Sequence, residues 1–277
     1  INDATDGTIN LHNVNVPLSG TVADLKAALN GISYKGAITI TNEANDAVSA
    51  DDITFIANAT TATPVIANQI VIEGIASAVD TTFSKVTNTG NAKVTITDSS
   101  GTSLNATLLS GISSQTTGEV TVSNAVNVQG NTSQVTAAFV TSGTNVKAET
   151  ANINISDTSS VSEFAQIDSK TEGTIQYALT DTVQAIDNAS SAQLSGTRAI
   201  VATDTAVTGS TLDLDNVTSS ASLTTSSISG DTGVNLVELS DVLSESGKMN
   251  IDFGSDTSTD QVIFNISDNS NFINFKA

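Results

Sequence analysis

Five segments of this chain alternate apolar and polar residues with period two: Ala37–Ile40, Lys93–Ile96, Glu119–Val122, Asn152–Ile155 and Thr174–Leu179. Such alternation predicts strands with one buried face, because successive side chains point to opposite sides. Each segment ends in the same closure: an apolar residue, then Ser or Thr, then Asp or Asn. The closure stands at Ile40-Thr41-Asn42, Ile96-Thr97-Asp98, Val122-Ser123-Asn124, Ile155-Ser156-Asp157 and Leu179-Thr180-Asp181. It returns at Ala202-Thr203-Asp204, Leu239-Ser240-Asp241 and Ile266-Ser267-Asp268, with a degenerate copy at Ile72-Glu73-Gly74. Most steps between closures fall near 24 or near 32 residues. The Asp or Asn is expected to bond its own backbone two residues on and so turn the chain.

Between closures the period shifts in places to that of a helix. Ser160-Val161-Ser162-Glu163 reads as a capping box ahead of Phe164 and Ile167. Thr21–Asp24 offers a similar start, with Val22, Leu25 and Leu29 on one face and Asn30-Gly31 as the stop. Ser49–Asp52 precedes Ile53 and Ile56 in the same way, whereas Leu212–Ile228 reads as short strands and turns.

Repeats of 20 to 50 residues mark solenoids, propellers and arrays, and a unit this short buries too little surface to stand alone. The expected fold is therefore mainly β: an elongated parallel β-solenoid with coils of about 24 residues and some short helices. Tandem immunoglobulin-like sandwiches are the rival, and the recurrent step and the helical caps count against them. Residues 1–247 form the repeat region. Residues 248–277, richer in aromatics through Phe253, Phe264, Phe272 and Phe275, form capping or junction strands of the same domain.

Composition narrows the function more than the fold. Nine basic residues against 29 acidic ones give a net charge of −20. Nucleic acid, which is held by clustered Lys and Arg, is excluded as a partner, and an anionic membrane surface would repel the chain. No run of about 20 apolar residues is present to span a bilayer. There is no Cys, and hence no disulfide, thiolate metal site or thiol nucleophile. The chain begins at Ile1 without Met or a signal peptide, which suggests a processed or excised segment.

The same composition leaves little for catalysis. His12 is the single histidine, Arg198 the single arginine, and Trp is absent. That removes His-pair metal sites and most sugar-stacking platforms, so no enzyme activity is expected. Excess carboxylate attracts divalent cations. Asp213 with Asp215, and Asp256 with Asp260, place oxygen ligands close together, and calcium is the cation they would suit; Asp51-Asp52 and Asp268-Asn269 are similar pairs. Outward threonines at Thr95 and Thr97, Thr121, Thr180 and Thr182, and Thr203 and Thr205 bring ice binding to mind, although Thr also suits any solvated strand face.

The motifs Thr180-Asp181-Thr182, Thr203-Asp204-Thr205, Ser156-Asp157-Thr158 and Thr97-Asp98-Ser99, with Leu194-Ser195-Gly196 between, resemble the repetitive regions of bacterial extracellular proteins. Surface-layer proteins, filament subunits and giant adhesins are of this kind. The resemblance implies a structural repeat protein at the bacterial cell surface or outside the cell. It would act by self-association into an oligomer, lattice or filament, or by adhesion, with glycan as a further partner. The alternatives are a carbohydrate-active parallel β-helix enzyme and an ice- or glycan-binding module.

Overall fold

The computed structural model describes residues 15–182, 185–186, 188–190 and 193, together with the backbones of six later strands. Two compact units divide the chain: Ile1–Val128 with Gln134–Asn152, and Gln129–Ser133 with Ile153–Ala277.

The first unit alternates strands with helices. In chain order they are β1 (Leu18–Gly20), α1 (Val22–Leu29), β2 (Ile38–Ile40), β3 (Ala47–Ser49), α2 (Ala50–Asn58), β4 (Val65–Ile66), β5 (Val71–Gly74), α3 (Ala76–Lys85), β6 (Thr87–Asn88) and β7 (Lys93–Ile96). Then follow β8 (Ser103–Asn105), α4 (Ala106–Ser114), β9 (Val120–Val122), β10 (Asn127–Gly130), α5 (Thr132–Phe139) and β11 (Val146–Lys147). One sheet runs β1-β2-β4-β6, and a second runs β3-β5-β7-β9-β11. The second unit carries β12 (Asn152–Ser159), α6 (Val161–Asp168), β13 (Ile175–Asp181), β14 (Thr197–Ala202), β15 (Thr211–Asp213), β16 (Thr225–Ser229), β17 (Leu236–Ser240), β18 (Lys248–Asp252) and β19 (Gln261–Asn265). There β12, β13, β14, β16 and β18 neighbour one another in that order, and β15, β17 and β19 form a separate sheet.

The expected mainly β, elongated parallel β-solenoid is therefore corrected to an α/β fold, in which parallel sheets alternate with helices. The strands lie close to where period two placed them. What the sequence reading undercounted was helix. Ala76–Lys85 (ASAVDTTFSK) and Ala106–Ser114 (ATLLSGISS) are rich in Ser, Thr and β-branched residues, which have weak helix propensity. They are helical because each buries one stripe, Ala76, Val79 and Phe83 in α3 and Ala106, Leu109 and Ile112 in α4. The helices anticipated at Thr21, Ser49 and Ser160 are present. Thr21 and Ser160 cap their own helices, but Ser49 makes no side-chain cap bond. The sandwich alternative fails because the strands of both first-unit sheets, and those from β12 to β19, pair in parallel.

In-register stacking builds the core. Val48, Ile72, Val94, Val120 and Val146 form one row across the second sheet, and Ile96 pairs with Val122 beside it. The closure residues Ile96, Val122, Ile155 and Leu179 do not share one sheet. Ile155 and Leu179 belong to β12 and β13, outside that sheet, and an irregularity in β12 sets Leu179 opposite Ser159. In the second unit Phe164 stacks on Tyr177 at 4.2 Å between ring centroids. Strands β18 and β19 pair with β16 and β17; the side chains of the aromatic cap, Phe253, Phe264, Phe272 and Phe275, lie outside the described residues.

A longer repeat underlies the steps near 24 and 32. Residues 42–76 and 98–132 correspond at an offset of 56 positions and share several hydrogen bonds. Asn68 Nδ2 donates to the Asn42 carbonyl at 2.7 Å, and Asn124 Nδ2 to the Asp98 carbonyl at 2.8 Å. The N–H groups of Asn45 and Gly101, both at positive φ, donate to Gln69 O and Ala125 O at 2.8 Å each. Thr60 Oγ1 accepts from Ala62 N–H while donating to Gly36 O, and Thr116 Oγ1 does the same with Gly118 N–H and Ala92 O. The true unit is two strand–helix passes, each somewhat different from the other.

Candidate functional surface

The closure residues, the most regular feature of the sequence, have a role other than the expected local turn. Asn42 Oδ1 accepts from Val22 N–H at 2.8 Å, and Asp98 Oδ2 from Ala76 N–H at 2.7 Å. Asp157 Oδ1 accepts from Thr132 N–H at 2.7 Å, and Asp181 Oδ2 from Val161 N–H at 3.0 Å. Each donor is the first residue of a helix, α1, α3, α5 and α6 in turn. The first N–H groups of a helix have no partner within it and carry partial positive charge, so a carboxylate or amide oxygen there is favourable. Here the cap comes from 20 to 25 residues later, out of the next pass of chain. Parallel register explains the geometry: Gly20 pairs with Ile40 and Gly74 with Ile96, so a residue two beyond one strand meets the helix start two beyond the other.

Other acidic side chains are also engaged structurally. Asp52 pairs with Lys26 at 2.5 Å, and Asp46 Oδ2 accepts from Glu43 N–H at 3.0 Å. Among the described residues no three His, Cys, Asp or Glu side chains come together as metal ligands. Asp213 ends β15, and its side chain, with Asp215, Asp256, Asp260, Asp268 and His12, lies outside the described residues; so does the side chain of Arg198 in β14.

The solvent-facing side of the second sheet is one surface open to an external partner. One row across it reads Ser49, Glu73, Thr95, Thr121, Lys147. Thr95 and Thr121 do adjoin, but Glu73 and Lys147 flank them, so this is a charged row and not a threonine array. Lys93 and Glu119, one position before Val94 and Val120, occupy the neighbouring row. Glu119 Oε2 and Lys147 Nζ are 2.5 Å apart, and Thr121 Oγ1 donates to Glu119 Oε1 at 3.2 Å. The hydrogen bond from Lys147 holds the Glu119 carboxyl below its ordinary range, and Glu119 in turn raises the Lys147 ammonium. Sequence reading missed this face because its charges are spread over strands 22 to 27 residues apart. Only the register brings them together.

No known family, curated protein or solved structure matches this chain. The α/β fold and its described residues lend no support to the surface-layer, adhesin or calcium expectations. Among the described residues no helix is long and apolar enough to cross a membrane.

Proposed function

We propose that this chain is a structural repeat segment of a bacterial extracellular assembly and acts by self-association. The observation that carries this reading is the set of four caps in which a later pass of chain supplies an oxygen to the helix of an earlier one. Asn42, Asp98, Asp157 and Asp181 join pass to pass in this way. Stability then resides in nearest-neighbour contacts, the property that lets a repeat array extend without limit of size. The acidic composition keeps such an array soluble until specific faces meet.

The test is sedimentation of the purified chain over rising concentration, with electron microscopy of the same samples. Ordered, concentration-dependent assemblies are expected. A strictly monomeric chain at its highest soluble concentration, or turnover of an acidic polysaccharide, would overturn the reading.

A further inference from the structure

The charges on the open face of the second sheet follow an order. Reading across β5, β7, β9 and β11, they are Glu73, Lys93, Glu119 and Lys147: minus, plus, minus, plus. Reversed, that order becomes plus, minus, plus, minus. A second copy laid face to face about a two-fold axis parallel to the strands, passing between β7 and β9, meets the first in that reversed order. Glu73 then faces the second copy's Lys147, and Lys93 its Glu119, each pair occurring twice. This is the self-complementarity that an isologous dimer contact requires.

We propose that the open face of β3-β5-β7-β9-β11 is a homodimer contact that binds a second copy of this chain through these four charges. It deepens the self-association reading and rests on it. Two further observations support the face. The chain carries −20 overall, yet these two carboxylates are balanced by two of its nine basic residues, so this row adds no net charge to a contact between copies. A parallel sheet is ordinarily covered on both sides, and Val71, Thr95 and Thr121 between the charges are only half-buried. Five strands span about 20 Å, so one contact is weak and gains strength by repetition along an assembly.

Charge reversal tests the pairing by sedimentation equilibrium at high protein concentration. Glu73→Lys and Lys147→Glu each set like charges opposite, and each should weaken dimerisation about tenfold. The double variant restores the complementary order at unchanged net charge and should return to within about threefold of the parent. Glu73→Lys is the sharp case, since it lowers the net charge and would strengthen association if only bulk repulsion mattered. Lys35→Glu, an equal charge change at an exposed site off this face, should leave dimerisation within about threefold of the parent. Thermal melts confirm that each variant is folded. A parent that associates with no response to the single reversals, or a double variant that stays weak, overturns this face while leaving self-association standing. A parent that never associates overturns both.

Discussion

Stretches 42–76 and 98–132 share several hydrogen bonds, in places through different residues, and the substitutions between them tell which property each place requires. Asn42 and Asp98 both cap a helix of the preceding pass, so the place needs an oxygen and not a charge. Asn45 and Gly101 both sit at positive φ, so the place needs tolerance of the left-handed region. Thr60 and Thr116 are identical, because one hydroxyl must accept from the backbone ahead and donate to the pass behind. A second contrast runs along the first unit. Helices α1 and α3 begin under such a cap, whereas α2 begins against Gly74, where a Cβ would stand 3.0 Å from that of Ala50. Close backbone approach replaces a polar cap there.

The sharpest way to break the equivalence of the copies is at Gly118, where copy one has Ala62. Both N–H groups bond the threonine hydroxyl two residues earlier. A Cβ at Gly118, however, would lie 2.4 Å from the Ala92 carbonyl oxygen, which is backbone and cannot step aside. Gly118→Ala should cost about 3 kcal/mol by denaturant unfolding, and Ala62→Gly less than about 1. Equal losses would mean the copies pack alike and the close approach is unimportant. Next in size is the cap. Asp98→Ala removes the oxygen facing Ala76 N–H and should cost about 1–3 kcal/mol, while Asp98→Asn, which copies the residue at 42, should cost under about 1. An Asn variant as damaged as the Ala variant would show that charge, not the oxygen, is what the place requires.

These contrasts also explain how far the sequence was legible. Strands announced themselves through Ile96, Val122 and their neighbours, because burial of one face leaves a period-two trace in a single segment. Helix α6 was legible for a similar reason: Ser160 and Glu163 cap it within four residues. Helix α3 was not, since its cap, Asp98, lies 22 residues downstream and its Ser, Thr and Val residues have weak helix propensity. The repeat was half read. Steps near 24 and near 32 are the two halves of one unit, and a comparison of the chain with itself at offset 56 would have aligned Ile40-Thr41 with Ile96-Thr97 and Thr60-Thr61 with Thr116-Thr117. The charged sheet face was beyond reach, because it exists only once the register of five strands is set.

A gentler perturbation sharpens the backbone comparison. Asn45→Gly installs in copy one the residue that copy two uses and should change stability by less than about 0.5 kcal/mol, whereas Gly101→Ala forces a Cβ to φ +80° and should cost about 1. Space is not the reason, since nothing lies within 4 Å of a Cβ at Gly101. A costly Asn45→Gly would mean that the Asn45 side chain, which accepts from Lys93 Nζ at 2.9 Å, matters more than its backbone.

The smallest expected effect is a pH response that copy two has and copy one lacks, for Thr63 stands at the place of Glu119. Lys147 depresses the Glu119 carboxyl below its ordinary 4.5, so that stabilisation is complete above the unfolded value and is lost as pH falls through the lower, folded one. Glu119 raises the Lys147 ammonium above 10.5, so its share is complete below that value and is lost as pH rises through the raised one. Between about pH 6 and 9 both are fully present. Both side chains are exposed, and screening keeps the total small. Comparing Lys147→Gln with the parent by thermal melts at dilute, monomeric concentration should give a slight deficit, flat across that plateau and shrinking toward both extremes. A deficit that grew in acid would reverse the sign required by a depressed carboxylate and remove the ion pair as its cause.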